Sequence, residues 1–151
     1  MIGNAVGFVQ IFAPETRIRR NVVTGNRELG IADGNGAALI EHNTVSDNGL
    51  GISIGGSSTR VSMNRVTGNH TDGISVSGGS TTRDTVLDHN VAGGNGDDGI
   101  DVNTDRATIT RNTANGNADL GIEAEPGVTD GGGNRARGNG NPAQCLNVSC
   151  R

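Results

Sequence analysis

The chain has no tryptophan, no tyrosine and only two phenylalanines, Phe8 and Phe12, among its 151 residues. With hydrophobic residues at 32%, a compact globule lacks the bulky side chains that normally fill a core. The missing aromatics also remove the platforms on which bases stack. A net charge of −4 offers no basic surface, so nucleic acid is excluded as a partner. Lysine is absent and all twelve basic residues are arginine, which we read as surface style rather than a site. No stretch approaches the roughly 20 apolar residues of a membrane-spanning helix. No basic segment, apolar run and cleavage site mark a leader at the first residues. A helical period of useful length is missing as well.

What the chain does have is an Asn-x4-Asn pair that recurs six times: Asn21/Asn26, Asn43/Asn48, Asn64/Asn69, Asn90/Asn95, Asn112/Asn117 and Asn134/Asn139. The first members are 22, 21, 26, 22 and 22 residues apart, and a fixed period of that size signals stacked repeats. Aligning the pairs gives columns: Ile18, Ile40, Val61, Leu87, Ile109 and Gly131 before them, then Val23, Val45, Val66, Ala92, Ala114 and Ala136 inside them. A Gly-Ile step follows at Ile31, Ile52, Ile74, Ile100 and Ile122, and two residues on stand Asp33, Ile54, Val76, Val102 and Ala124. Apolar and polar positions alternate over short stretches, as in strands. Each unit therefore holds about three strands between Asn and Gly corners, both of which tolerate left-handed backbone. The 26 glycines and 18 asparagines are corner residues, not low complexity. One unit cannot bury a face alone, but wound as a coil it pairs with its neighbours. The expectation is an all-β, right-handed, single-stranded parallel β-helix of about six coils with ~22-residue repeats.

The unit N-x-V-x-x-N-x-x-x-G-I-x-V resembles the right-handed parallel β-helix repeat family, the pectin-lyase-like fold, whose repeat also occurs in NosD-type periplasmic proteins. The resemblance covers residues 1–141 and speaks to fold, because that fold hosts lyases, hydrolases, epimerases, adhesins and spacers. Residues 1–141 are thus expected as the β-helix, with an incomplete first coil that points to an N-terminally truncated piece of a longer chain. Residues 142–151 are expected as a C-terminal cap over the open sheet end. Cys145 and Cys150 lie in that tail at a spacing that suits a small disulfide loop, and a bonded pair implies an oxidising compartment. The alternative is a redox or metal pair, for which no partnered His stands by. Together these features suggest an extracellular or cell-surface segment, monomeric and without membrane insertion.

The Asn columns are read as structural, with stacked amides pairing one another and the corner backbone. Carboxylates gather elsewhere. Along the strands after each Gly-Ile, the outward positions are Ala32, Ser53, Ser75, Asp101 and Glu123, followed by Gly34, Gly55, Ser77, Asn103 and Glu125. Asp72, Asp97, Asp98 and Asp119 precede the glycines, so acidity concentrates on one face of the third to fifth units. The single irregular interval, a four-residue insertion within Ser77–Asp84, falls in the same region and reads as a rim loop. If Asp72 and Asp98 occupy equivalent places on adjacent coils, two charges ~5 Å apart repel by about 3 kcal/mol at an effective dielectric near 20. Such a pair splays into water, shares a proton, or holds a cation. Asp98 and Asp101 are the candidate Ca2+ ligands. The stretch Gly93–Asp101 also satisfies the calcium nonapeptide, but as one copy without tandem neighbours.

Thr71-Asp72-Gly73-Ile74-Ser75-Val76-Ser77-Gly78 and Gly96-Asp97-Asp98 resemble stretches of polygalacturonase-type hydrolases. That resemblance implies Asp72, Asp97 and Asp98 as catalytic carboxylates, one acid protonating the leaving oxygen while another activates water. Asp101, Asn103, Glu123 and Arg83 then become substrate-binding candidates. The sequence departs from that family at His70 and lacks its G-H-G and R-I-K motifs. A pectate-type lyase needs Ca2+ and a basic residue, for which Arg83 and Arg106 are the nearest candidates. A copper role by analogy with NosD finds no ligand set in this reading: His42, His70 and His89 do not share one column, and Met1 and Met63 are far apart in the repeat. The expected function is a non-catalytic β-helix module, carbohydrate-directed or structural, needing no cofactor beyond a candidate Ca2+. The alternative is a polysaccharide hydrolase or Ca2+-dependent lyase that uses the acidic cluster.

Overall fold

A computed structural model describes residues 2–10, 15–78 and 82–151. Gly79, Ser80 and Thr81, the centre of the expected rim loop, lie outside that set. Among the described residues, eighteen short strands form three parallel sheets of six, wound as a right-handed coil. The first sheet holds β1 (Val6–Gln10), β4 (Leu29–Asp33), β7 (Leu50–Ile54), β10 (Ile74–Val76), β13 (Ile100–Val102) and β16 (Ile122–Ala124). The second holds β2 (Arg17–Arg19), β5 (Leu39–Glu41), β8 (Arg60–Ser62), β11 (Thr85–Asp88), β14 (Ala107–Thr110) and β17 (Thr129–Gly132). The third holds β3 (Val22–Thr24), β6 (Thr44–Ser46), β9 (Arg65–Thr67), β12 (Val91–Gly93), β15 (Thr113–Asn115) and β18 (Arg135–Arg137). In every sheet each strand pairs with its counterpart one repeat away.

The registers place like on like. Ile31, Ile52, Ile74, Ile100 and Ile122 are mutual neighbours in one file. Each is 0% exposed, and burying such a side chain contributes about 1.5–3 kcal/mol. Val23, Val45, Val66, Ala92, Ala114 and Ala136 form a second interior file. The third runs from Ile18 to Ile109, and there it departs from the sequence columns. A register shift between Ile109 and Thr110 sets Asp130, not Gly131, opposite Ile109. One rung of the first sheet is unlike its fellows. Asp33 occupies the interior column of Ile54 and is buried, its carboxylate accepting bonds from Thr59 Oγ1 and the backbone N–H groups of Asn35 and Gly36.

Two asparagine ladders run along the corners. The N–H and Nδ2 of Asn43 both donate to Asn64 Oδ1 (2.9 Å each), and Asn64 donates in the same way to Asn90 Oδ1 (3.0 and 3.1 Å). Asn26, Asn48, Asn69, Asn95, Asn117 and Asn139 repeat the scheme. The residue before each first Asn turns through left-handed backbone, with φ between 54° and 56° at Arg20, His42, Met63, His89 and Arg111. That single reversed residue bends the chain between strands, and the buried amide behind it pairs the backbone groups the bend exposes.

At the far end Cys145 and Cys150 are disulfide-bonded. The segment lies over the last coil: Gly121 N–H donates to Gln144 O, Leu146 N–H to Ile122 O, and Arg151 N–H to Asn134 O. Val148 and both cysteines pack against the core. No helix among the described residues is long and apolar enough to cross a membrane.

Candidate functional site

The acidic residues come together where the third sheet turns into the first. Asp72 and Asp98 sit at the same point of successive coils, immediately before the glycines that lead into β10 and β13. No side chain fits at these glycines: a Cβ on Gly73 lies 2.6 Å from Gly99 O and 2.7 Å from Asn95 Nδ2. The tight turn therefore fixes the direction of the residue preceding it. Asp72 Oδ1 accepts the N–H of Asp98 (3.2 Å), and Asp98 Oδ1 accepts the N–H of Leu120 on the next coil (2.7 Å). Each carboxylate thus spends one oxygen on the neighbouring backbone and keeps the other for the cluster.

Two overlapping groups result. Asp72, Asp97 and Asp98 present oxygens within 4.8 Å of one another, and so do Asp98, Asp101 and Glu123. Asp101 and Glu123 are directly paired across β13 and β16, with Ser75 on the other side of Asp101. Asn103 Nδ2 donates to Asp101 Oδ2 at 2.7 Å. Asp98 is buried, Asp72, Asp101 and Glu123 are half-buried, and Asp97 is exposed.

Burial is the main force raising the Asp98 carboxyl, aided by the nearby Glu123 and Asp97 and opposed by the Leu120 N–H; together they push it up to about 7. Asp101 is pushed up to about 6, first by burial and then by the charge of Asp72, with Asn103 pulling the other way. Asp72 is raised chiefly by burial, against the Asp98 N–H. Crowded, half-buried carboxylates of this kind favour uptake of a proton.

The other sequence candidates divide. Asn103 and Glu123 belong to the ledge. Arg83 and Arg106 lie together in a different groove, on the outer side of the second sheet with Val86, Thr108 and Thr129, and none of the five carboxylates lines it. The basic residues that a lyase reading calls for are therefore not beside the acids.

The three histidines do not fall in one column, as expected, but two of them do. His42 and His89 do share a column, with Met63 between them, because all three stand directly before the first Asn of a pair. Their φ values are 55°, 56° and 55° for His42, Met63 and His89. His70 follows the second Asn of its pair and bonds Asn48 O through Nδ1 (3.0 Å).

Residues 1–141 match the family described as periplasmic copper-binding protein (NosD). The chain belongs to the NosD family. No curated protein matches it in sequence. Among solved structures, it is similar to a double mutant of the periplasmic alginate epimerase AlgG, with a TM-score of 0.69 and 20% identity over 89% of this chain. This NosD-family chain spans 39% of the length of that protein, and at such identity the likeness is one of fold.

Proposed function

We propose that the chain is a non-catalytic β-helix module working in the periplasm or outside the cell, with its acidic ledge as a contact for hydroxyl-rich polysaccharide. The convergence of Asp98, Asp101 and Glu123 within 4.8 Å on the outer side of the first sheet carries this reading. Carboxylates accept hydrogen bonds from paired sugar hydroxyls, and Asn103 adds a donor and an acceptor. With neither Trp nor Tyr in the chain, no stacking platform assists, so binding rests on polar contacts. The hard oxygen donors also suit Ca2+, which relieves the mutual repulsion of the acids and bridges to a carboxylate-bearing glycan. The periplasmic setting follows the descriptions of the NosD family and of AlgG, and the Cys145–Cys150 bond fits an oxidising compartment.

Thermal unfolding across a calcium titration, paired with calorimetry against a panel of neutral and uronic-acid glycans, tests this reading. Ca2+ at millimolar concentration should raise the midpoint by mass action. Asp101→Asn should remove both that rise and the glycan heat. A chain indifferent to calcium and to every glycan would leave the ledge a solvated face.

A second reading, a polysaccharide hydrolase, is favoured by one observation: burial, with Glu123 and Asp97 nearby, pushes the Asp98 carboxyl up to about 7, the range a general acid uses. The oxygens approach within 4.8 Å, which is too close for the roughly 6.5–9.5 Å of an inverting pair and nearer the roughly 5–5.5 Å of a retaining one. Cleavage of any glycan in the panel, abolished by Asp98→Ala in a chain that still folds, would favour the enzyme over the binding module.

A further inference from the structure

We propose that the last two rungs of the third sheet form a binding site for a phosphoryl group, on a face separate from the acidic ledge. β15 and β18 pair in register, with Thr113 beside Arg135 and Asn115 beside Arg137. Alternate residues of a strand point to one side, and the residues between, Ala114 and Ala136, are buried in the interior file. Arg135 and Arg137 therefore project outward together, their Cα atoms ~6.6 Å apart along the strand. The C-terminal segment brings a third guanidinium to the same place. Arg151 N–H donates to Asn134 O (3.1 Å), and the disulfide-bonded Cys150 bridges Asn134. Thr113, Asn115, Arg135, Arg137 and Arg151 line one groove of about 540 Å³, a volume suited to a small ligand.

The positive charge in this groove is not neutralised from within. Arg60, Arg106 and Arg111 pair with Asp88 or Asp105, whereas Arg135, Arg137 and Arg151 enter no ion pair among the described residues. None of the six strands of the third sheet contains Asp or Glu. In a chain of net charge −4, guanidiniums gathered on such a face repel one another and gain from an anion between them. A second observation concerns the hydrogen-bonding character of the lining. Asn115 Oδ1 accepts the N–H of Arg137 (2.9 Å), which leaves its Nδ2 to donate. With that amide, the Thr113 hydroxyl and the guanidinium forks, donors dominate. Neutral sugars need acceptors as well and are poorly matched. A carboxylate offers only acceptors but brings a single charge. A phosphate monoester carries about −1.5 to −2 at pH 7 on three acceptor oxygens, and planar guanidiniums bind it two-pronged. Arg135 and Arg137 carry the site, and Arg151 closes its rim.

The test is calorimetry on the untagged 151-residue chain in phosphate-free buffer, with inorganic phosphate, a hexose phosphate and galacturonate as probes. Both phosphates should bind at one equivalent. Tighter binding of the hexose phosphate assigns the group to a sugar ester, and equal binding assigns it to free phosphate. Galacturonate should bind at least about tenfold more weakly than either. Arg135→Gln and Arg137→Gln should each weaken phosphate binding at least about tenfold, with unfolding midpoints unchanged. Arg17→Gln, on the outer side of the second sheet, should bind as the parent does. No heat with either phosphate, galacturonate binding as tightly as phosphate, or full affinity in both Arg135→Gln and Arg137→Gln overturns the site. The calcium response of the ledge should not move in these variants, so the two faces stand or fall separately.

Discussion

Asp72 accepts the backbone N–H of Asp98 from the adjacent coil, at 3.2 Å, so two acids on neighbouring rungs are fastened side by side instead of splaying apart. Repulsion then has few outlets, and the proton on Asp98 becomes the simplest one. The folded Asp98 titrates at about 7 against an ordinary 3.8, so between those values the folded chain binds more protons than the unfolded one and stability falls as pH rises. Asp98→Asn should be more stable than the parent at pH 8, by about 1–3 kcal/mol, with the advantage vanishing near pH 4. Urea unfolding at several pH values measures this, and parallel curves for the two proteins would count against it.

Asp88 shows the opposite sign. Burial raises its carboxyl, but His89, Arg111 and Arg60 together hold it below the usual value. Its stabilising contribution is present above the unfolded value and is lost as pH falls through the folded one. Asp88→Asn should cost about 1–3 kcal/mol at pH 7, because Arg60 and Arg111 lose a buried partner. As pH falls below the ordinary carboxylate value, the gap between parent and variant in urea unfolding should shrink.

The ladder amides should be least replaceable at mid-stack. Asn64 accepts two bonds from Asn43 and donates to Ile40 O (2.9 Å) and Asn90 Oδ1 (3.1 Å). Asn64→Ala leaves those buried groups unpaired, at about 1–3 kcal/mol each in the worst case. Asn21→Ala, at an exposed end of the same ladder, should cost less than about 1 kcal/mol. Equal losses at the two positions would refute the ladder as the source of stability.

Gly73→Ala tests close approach of coils. The added methyl group meets Gly99 O and Asn95 Nδ2, neither of which has room to retreat in a paired stack. A loss of about 1–3 kcal/mol is expected, along with weaker calcium response at the ledge, since Asp72 and Asp98 flank the disturbed turn.

Most of the fold was legible in the Asn-x4-Asn spacing, because a coil that stacks on itself must repeat its corners and interior files at one period. Ile52, Ile74, Ile100 and Ile122 were set in a single file by that spacing alone, and the registers agree. So was the grouping of Asp72 with Asp98 and of Asp101 with Glu123. The shift beside Ile109 was not legible, since the extra residue Gly131 in β17 falls within a unit whose Asn112-to-Asn134 spacing is still 22.

Periodicity, then, set the winding, the interior files and the face that carries acid, each being a consequence of which residues recur in step. Only the folded chain decided how those acids titrate, that Arg83 and Arg106 stand in another groove, and that Arg60 and Arg111 close on the buried Asp88. These depend on burial and on contacts between residues 22 to 28 positions apart, distances at which a linear text is silent about side-chain direction.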